Sequence, residues 1–221
     1  MKDGQSRIQD EKAVFSLLGA GVKELGLPED SSTLQKLTDL VMILDDWSGR
    51  INLTGHRGPH QIAARLILDA AALASALPEL RTAQSLADLG SGAGIPGLPI
   101  GILYPHLDVL LIDSRLKRHH FRREVRRRLN LDRMTSVLGR SDEVDARPCD
   151  IVIAQAMTKP TEALSLMSEW AHSDSLLVLP GSESAAPPKC PDGVGHLEMR
   201  QYIVPEIGTS RKIWIARPLP N

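Results

Sequence analysis

Leu86-Ala-Asp-Leu-Gly-Ser-Gly-Ala-Gly-Ile-Pro-Gly-Leu-Pro99 decides how the rest of the chain is read. A short apolar run carries an acid, Asp88, breaks into glycines, and restarts as a helix that tolerates proline in its first turn. That order is strand, tight turn, helix N-terminus. Glycine is needed where the backbone takes a positive φ or passes within contact distance of a ligand. Two nucleotide cofactors are held by such turns. Gly92-Ala-Gly94-Ile-Pro-Gly97 satisfies the GxGxxG pattern of dinucleotide domains, and Asp88-Leu-Gly90-Ser-Gly92-Ala-Gly94 satisfies the acidic-x-G-x-G-x-G pattern of S-adenosylmethionine (SAM) enzymes equally well.

Downstream of this turn the chain alternates between strands and helices, which predicts a parallel α/β sheet. Strands are expected at 85–89, 108–112, 134–138, 150–154 and 175–179, with helices at 96–104, 115–129 and 160–172. A Pro/Gly/Ser-rich loop over 181–195 precedes a closing antiparallel pair at 196–204 and 212–216. The apolar strands are continuous rather than alternating, as in a sheet covered on both faces. Upstream, helical spacing runs over about 8–25, a second helix carries a capping box at Ser32 and Gln35, and a third helix spans about 60–77. The expected architecture is a doubly wound, mostly parallel, Rossmann-like sheet over 81–221. A helical N-terminal cap covers 1–80, and an antiparallel strand pair closes the chain.

The composition agrees with this and narrows the function. A chain of 221 residues can bury one sizeable core. Two cysteines, Cys149 and Cys190, form neither a disulfide framework nor a metal cluster, so no metal site is expected. No stretch has the length of a membrane span, and the first residues lack an apolar leader core, so a cytoplasmic location is expected, with no membrane partner. A net charge of −1 argues against a uniformly basic nucleic-acid binder while leaving room for a local basic face.

Asp88 separates the two cofactors. A carboxylate just ahead of the turn repels a pyrophosphate but not the cationic methionine end of SAM. Asp113, ending the second predicted strand, would face the same crevice and suits the ribose of either cofactor. Gly139-Arg140-Ser141-Asp142-Glu143 follows the third strand, where an acid can accept from the adenine amine. SAM is therefore preferred to a nicotinamide dinucleotide, with Asp88, Gly90, Ser91, Gly92, Gly94, Asp113, Ser141 and Asp142 as candidate contacts.

The predicted helix after Asp113 is rich in arginine. Arg115, Lys117, Arg118, Arg122 and Arg126 are candidate RNA contacts, with Arg115, Arg118, Arg122 and Arg126 near one line at helical spacing. A basic stripe in a near-neutral chain suits a phosphate backbone, and a solvated helix face is the alternative. Aromatic residues make up 3% of the chain, which disfavours stacking platforms and favours structured RNA held by charge. No Asp/Asn-Pro-Pro-aromatic segment grips an exocyclic amine. The position after the fourth strand reads Ala154-Gln155-Ala156-Met157 and has no nucleophilic cysteine. A ring nitrogen such as guanine N7 has a free lone pair and needs only positioning.

The segments Asn52-Leu-Thr54, Arg65-Leu-Ile-Leu-Asp69, the glycine–proline turn, Leu111-Ile-Asp-Ser114, Arg140 and Val204-Pro205 through Arg211 resemble the glucose-inhibited division protein B family. Those are small-subunit (16S) ribosomal RNA guanine-N7 methyltransferases. The resemblance implies a class I SAM-dependent methyltransferase fold. It implies cofactor contacts from Gly90, Ile95, Asp113, Ser141 and Asp142, with Ser114 and Gln155 beside them, and Arg140 and Arg211 at the cofactor–RNA face. Arg140, Arg211 and Gln155 are the catalytic candidates, and Arg211 is also an RNA contact. The partner implied is 16S RNA or the small ribosomal subunit, with no DNA partner and a monomeric enzyme expected. Three positions depart from the family pattern: Leu66 replaces a histidine, Gln155 an arginine and Pro180 a lysine. A divergent member with another RNA target, or one without activity, is the alternative.

Overall fold

The computed structural model describes residues 4–155 and 157–219. Three helical stretches lead the chain: α1 (Gly4–Glu24), α2 (Ser31–Ser48), and α3 (Pro59–Ile62), which runs through a π-helical turn at Ala63–Ile67 into α4 (Leu68–Ser75). The alternating part follows as β1 (Ser85–Leu89), α5 (Gly97–Leu103), β2 (Asp108–Asp113), α6 (Leu116–Leu129), β3 (Met134–Leu138), β4 (Cys149–Ala154), α7 (Pro160–Glu169) and β5 (Ala171–Ser182). β6 (Glu198–Val204) and β7 (Thr209–Ala216) close it as an antiparallel pair.

The seven strands are ordered β3-β2-β1-β4-β5-β7-β6, with β7 antiparallel to both neighbours and the others parallel. Strand order reverses between β1 and β4. A parallel sheet opens its ligand crevice at such a switch, beyond the strand carboxyl ends. The glycine turn after β1 and the Gln155 segment after β4 therefore lie at that crevice.

Local chemistry explains where the elements start and stop, and it corrects three expectations. The cap of α2 is Asp30, not Ser32: its carboxylate accepts from the Thr33 amide at 3.0 Å and the Thr33 hydroxyl at 2.7 Å. The third helix is not one regular helix, because the π turn inserts a residue at Ala63–Ile67 and shifts the faces on either side of it. α7 stops at Glu169, short of His172, because Trp170 is drawn into the core. The indole N–H of Trp170 donates to the Ser141 carbonyl at 3.1 Å, and its own carbonyl accepts from Cys149 N, so β5 has already begun at Ala171.

Helices α1–α6 all pack on one face of the sheet. Their core is continuous from Val14 through Leu18, Leu37, Leu40 and Leu68 to Val109, Ile153 and Ile215. On the other face α7 lays Ala163, Leu164 and Met167 over Ala87, Val152 and Leu177. Polar ties also hold the N-terminal helices to the sheet edge. Arg200 on β6 donates to both Glu79 oxygens at 2.7 and 2.9 Å and to the Ala76 carbonyl at 3.1 Å.

Since this core joins the N-terminal helices to the sheet, a cavity made in one should destabilise both. Leu40→Ala, at a fully buried position, should cost about 2–5 kcal/mol. Denaturant unfolding followed by far-UV dichroism and by tryptophan fluorescence should give one coincident transition at lower denaturant.

Candidate active site and nucleic-acid face

The glycine turn is clamped from beneath by three charged side chains. Gly90, Gly92 and Gly94 adopt φ of 68°, 57° and 85°, a left-handed region open to glycine at little cost. Gly92 N donates to Asp113 Oδ2 at 3.1 Å, and Gly92 O accepts from Arg122 Nη1 at 2.8 Å. At the far end of the turn Gly97 N, in the first turn of α5, donates to Asp88 Oδ2 at 2.9 Å. Ser91 binds inward, its amide and hydroxyl both donating to the Ile112 carbonyl.

Asp88 and Arg122 are almost entirely shut off from solvent. Burial pushes the Asp88 carboxyl up to about 7, against the pull of the Gly97 N–H and of Arg122. Burial likewise lowers Arg122 to about 10, while Asp113 and Asp88 favour its charge. Arg122 also donates from Nε to Ser136 Oγ at 2.9 Å and from Nη2 to Val137 O at 3.2 Å, so each of its three nitrogens has a partner. It therefore bolts the turn to β3 and does not face RNA, which corrects the sequence expectation. Two of the four arginines on the predicted line are committed to the fold, since Arg118 Nη1 donates to Asp113 Oδ2 at 3.1 Å.

A cavity of about 820 Å³ opens over this turn, at the carboxyl ends of β1, β2 and β3. Gly90, Asp113, Ser114, Ser141 and Asp142 line it, together with Arg115, Arg118 and Arg140. Met157 and Thr158 close the opposite wall; a Cβ on Gly90 would stand 2.8 Å from Met157 Cβ, so only glycine leaves this passage open. Asp113 Oδ1 accepts one internal bond, from Arg115 N at 2.8 Å, which leaves it acceptor capacity toward the cavity. Arg140 is exposed and pairs with Asp142 through two hydrogen bonds of 3.0 and 2.9 Å.

Other expected contacts stand elsewhere. Asp88 and Ser91 are buried beneath the turn, and Gly92 and Gly94 shape it without lining the cavity. Ile95 and Gln155 line a second, small cleft with Leu66, Asp69, Pro96 and Tyr202. Arg211, paired across β6 and β7 with Tyr202, donates to Asp69 Oδ2 at 3.0 Å and lies behind that cleft. Two family departures, Leu66 and Gln155, thus meet in one cleft. Pro180 lines a neighbouring pocket with Ala154 and Met157.

Asp69 and Tyr202 were not singled out from the sequence as functional. The available signal was an acid four residues after Arg65 in an otherwise apolar helical stripe. The basic surface of α6 is its outer side, where exposed Arg123 and Arg126 make no ion pair among the described residues and edge a groove with Trp47 and His120. Arg127 and Arg128 are both held by Glu124, at 2.9 and 2.6 Å, and Lys117 is exposed at the start of the helix.

The buried Asp88 has a consequence for stability. Its native pKa stands above that of an unfolded carboxyl, so the native state holds the extra proton between about pH 4 and 7. Its contribution should therefore be present at low pH and be lost as pH rises through this window, at about 1.4 kcal/mol per pH unit. Asp88→Asn keeps an acceptor for Gly97 N and should flatten that part of the stability–pH curve, measured by urea midpoints from pH 4 to 8.

Comparison with known proteins agrees with this geometry. Residues 33–204 match the family model described as GidB, rRNA small subunit methyltransferase G. The ribosomal RNA small subunit methyltransferase G of Chromohalobacter salexigens is 33% identical over 190 residues, 85% of this chain and 89% of that protein. The protein of the same name from Klebsiella pneumoniae (strain 342) is 31% identical over 202 residues, 88% of this chain and 94% of its own length. Among solved structures, a variant of MtNAS in complex with S-adenosylmethionine superposes with a TM-score of 0.59 at 12% identity, over 93% of this chain and 78% of that one. The Escherichia coli methyltransferase yhhF gives 0.54 at 16% identity, over 70% and 87%. The fold is therefore that of class I SAM-dependent methyltransferases, and the chain belongs to the GidB family of rRNA small subunit methyltransferase G proteins.

Proposed function

We propose that this protein methylates a guanine of small-subunit ribosomal RNA at N7, using SAM. The observation that carries the reading is the acid-lined cavity over a family-type glycine turn whose helix amide is already occupied. In a dinucleotide domain the amide at the helix N-terminus binds the pyrophosphate. Here Gly97 N is taken by Asp88 inside the protein. Asp88 thus disfavours a dinucleotide by occupying a donor, rather than by facing the ligand.

The residues present fit SAM. The Gly90 backbone would pass against its amino-acid portion, Asp113 Oδ1 would accept from the ribose, and Ser141 with Asp142 would border the adenine. When bound, SAM supplies an electrophilic methyl group. Guanine N7 brings its own lone pair, so the chain's task is to orient the base and keep water out. Arg115 and Arg140 on the cavity rim, with Arg123 and Arg126 on the outer side of α6, supply positive charge for the RNA backbone. No described helix is long and apolar enough to cross a membrane. A cytoplasmic, monomeric enzyme acting on RNA and not DNA agrees with this reading.

The second reading, a SAM-binding relative that methylates a different RNA or none, is favoured by Leu66 and Gln155 in the small cleft, since glutamine does not replace the bidentate cation of an arginine.

A methyl-transfer assay on small-subunit RNA and on small subunits, with mass-spectrometric mapping, tests the proposal. Methyl incorporation at a guanine N7 is expected, and tight SAM binding without incorporation would establish the second reading. In calorimetric titration the chain should bind SAM and not NAD, and Gly90→Val should abolish SAM binding by driving a side chain into Met157. Arg123→Glu with Arg126→Glu should weaken RNA binding at least tenfold at low salt and make the log K against log salt slope shallower by about 1.5–2. SAM affinity should be unchanged.

A further inference from the structure

The small cleft has an unusual floor. Asp69 lies at the start of α4, four residues after Arg65 and just past the π turn, its side chain 13% exposed. Its carboxylate is held from behind by two donors, the Tyr202 hydroxyl on Oδ1 and Arg211 Nη2 on Oδ2, each at 3.0 Å. An ionised carboxylate offers about four acceptor positions, so two are unfilled by these donors on a residue that lines the cleft. Burial raises the Asp69 carboxyl, while Arg211 and Tyr202 favour its ionised form.

Position gives this carboxylate a meaning. The cleft abuts Ile95 and Pro96 of the glycine turn and Gln155 after β4, whereas the cofactor cavity abuts the same turn at Gly90 and the same segment at Met157. A base seated at the cleft thus lies next to the cofactor cavity. The cleft holds about 40 Å³, against about 820 Å³ for the cofactor cavity. It admits the polar edge of a base and not a purine ring.

We propose that Asp69 is the specificity-determining residue for guanine, accepting from N1–H and the N2 amine while the ring lies on the rim formed by Leu66, Ile95 and Gln155. This inference rests on the reading of the protein as a guanine methyltransferase. Among the four bases only guanine presents two adjacent donors to one carboxylate. Adenine places a lone pair at N1, cytosine a lone pair at N3, and uracil flanks its single N–H with carbonyls. A buried acceptor left facing a lone pair costs the full desolvation of both groups. The edge opposite N1 and N2 carries N7, so an anchor at Asp69 turns N7 outward, toward the cofactor side. Tyr202 and Arg211 are positioning residues that fix the carboxylate plane.

The alternative role for Asp69 is a bolt joining α4 to β6 and β7. Nucleotide ranking separates the two without requiring turnover. The full chain, saturated with S-adenosylhomocysteine, is titrated with guanosine, inosine and adenosine 5′-monophosphates and followed by ligand-observed NMR. Guanosine monophosphate should bind at least tenfold more tightly than adenosine monophosphate. Inosine monophosphate, which keeps N1–H and lacks the amine, should fall between them. Asp69→Asn should bring all three within about twofold while SAM affinity is retained. The inference is overturned if the native chain ranks the three equally or binds none, or if Asp69→Asn keeps the ranking. It is also overturned if that variant weakens all three in proportion, as loss of a bolt would. Should Asp69→Asn fail to fold, Asp69→Glu, which keeps the charge but displaces the carboxylate, is titrated in its place, and an unchanged ranking overturns the inference. Failure of the methyltransferase reading is registered separately, as absent methyl incorporation by the native chain.

Discussion

The guanidinium of Arg122 is the contact on which the site depends. A charge removed from water survives only if its donors are satisfied and opposite charge stands nearby. Arg122 meets both conditions by reaching from α6 to the Gly92 carbonyl, Ser136 and the Val137 carbonyl, with Asp88 and Asp113 on either side. One side chain thus ties the glycine turn, β3 and α6 into a rigid unit. Asp113 is fixed in the same network through Gly92 N and Arg118, so the acid that lines the large cavity is set by the charges beneath it.

Around this unit the site divides into two halves that differ in how closely they follow the family. The cofactor half keeps its acids and its close-approach glycine at Gly90. The other half carries Leu66 and Gln155 where the family has a histidine and an arginine, with Pro180 in the adjoining pocket. What remains there is a carboxylate held by Arg211 and Tyr202, with the exposed Arg65 also lining the cleft. Fewer cations there would weaken attraction for an RNA backbone while leaving the Asp69 acceptor in place. On the proposed reading, affinity would reside mainly on the rim and on α6, and specificity in the cleft.

Much of the architecture was legible because periodicity is a local property. The alternation of continuous apolar runs with helical stripes placed β1 and β3 at 85–89 and 134–138 as the structure has them, and the closing antiparallel pair followed from the same pattern. The boundaries that moved did so through side-chain contacts: Asp30 captured Thr33, and the buried Trp170 ended α7 early. The arginine stripe on α6 misled for a related reason. Helical spacing shows which residues share a face but not whether that face meets water or the sheet. The side holding Arg118 and Arg122 meets the sheet and the turn.

By itself, then, the sequence determined the fold class, the strand–turn–helix unit and its cofactor, because glycine spacing and an acid near each strand end are constraints within a few residues of chain. Only the tertiary structure decided what each charge does. Asp88 supports the turn, Arg122 is a bolt to β3, and Asp69 gains its partners only when β6 and β7 bring Tyr202 and Arg211 to it across more than 130 residues of chain. A charged side chain takes its role from the partner that satisfies it, and that partner is supplied by strand order and packing, not by neighbours in sequence.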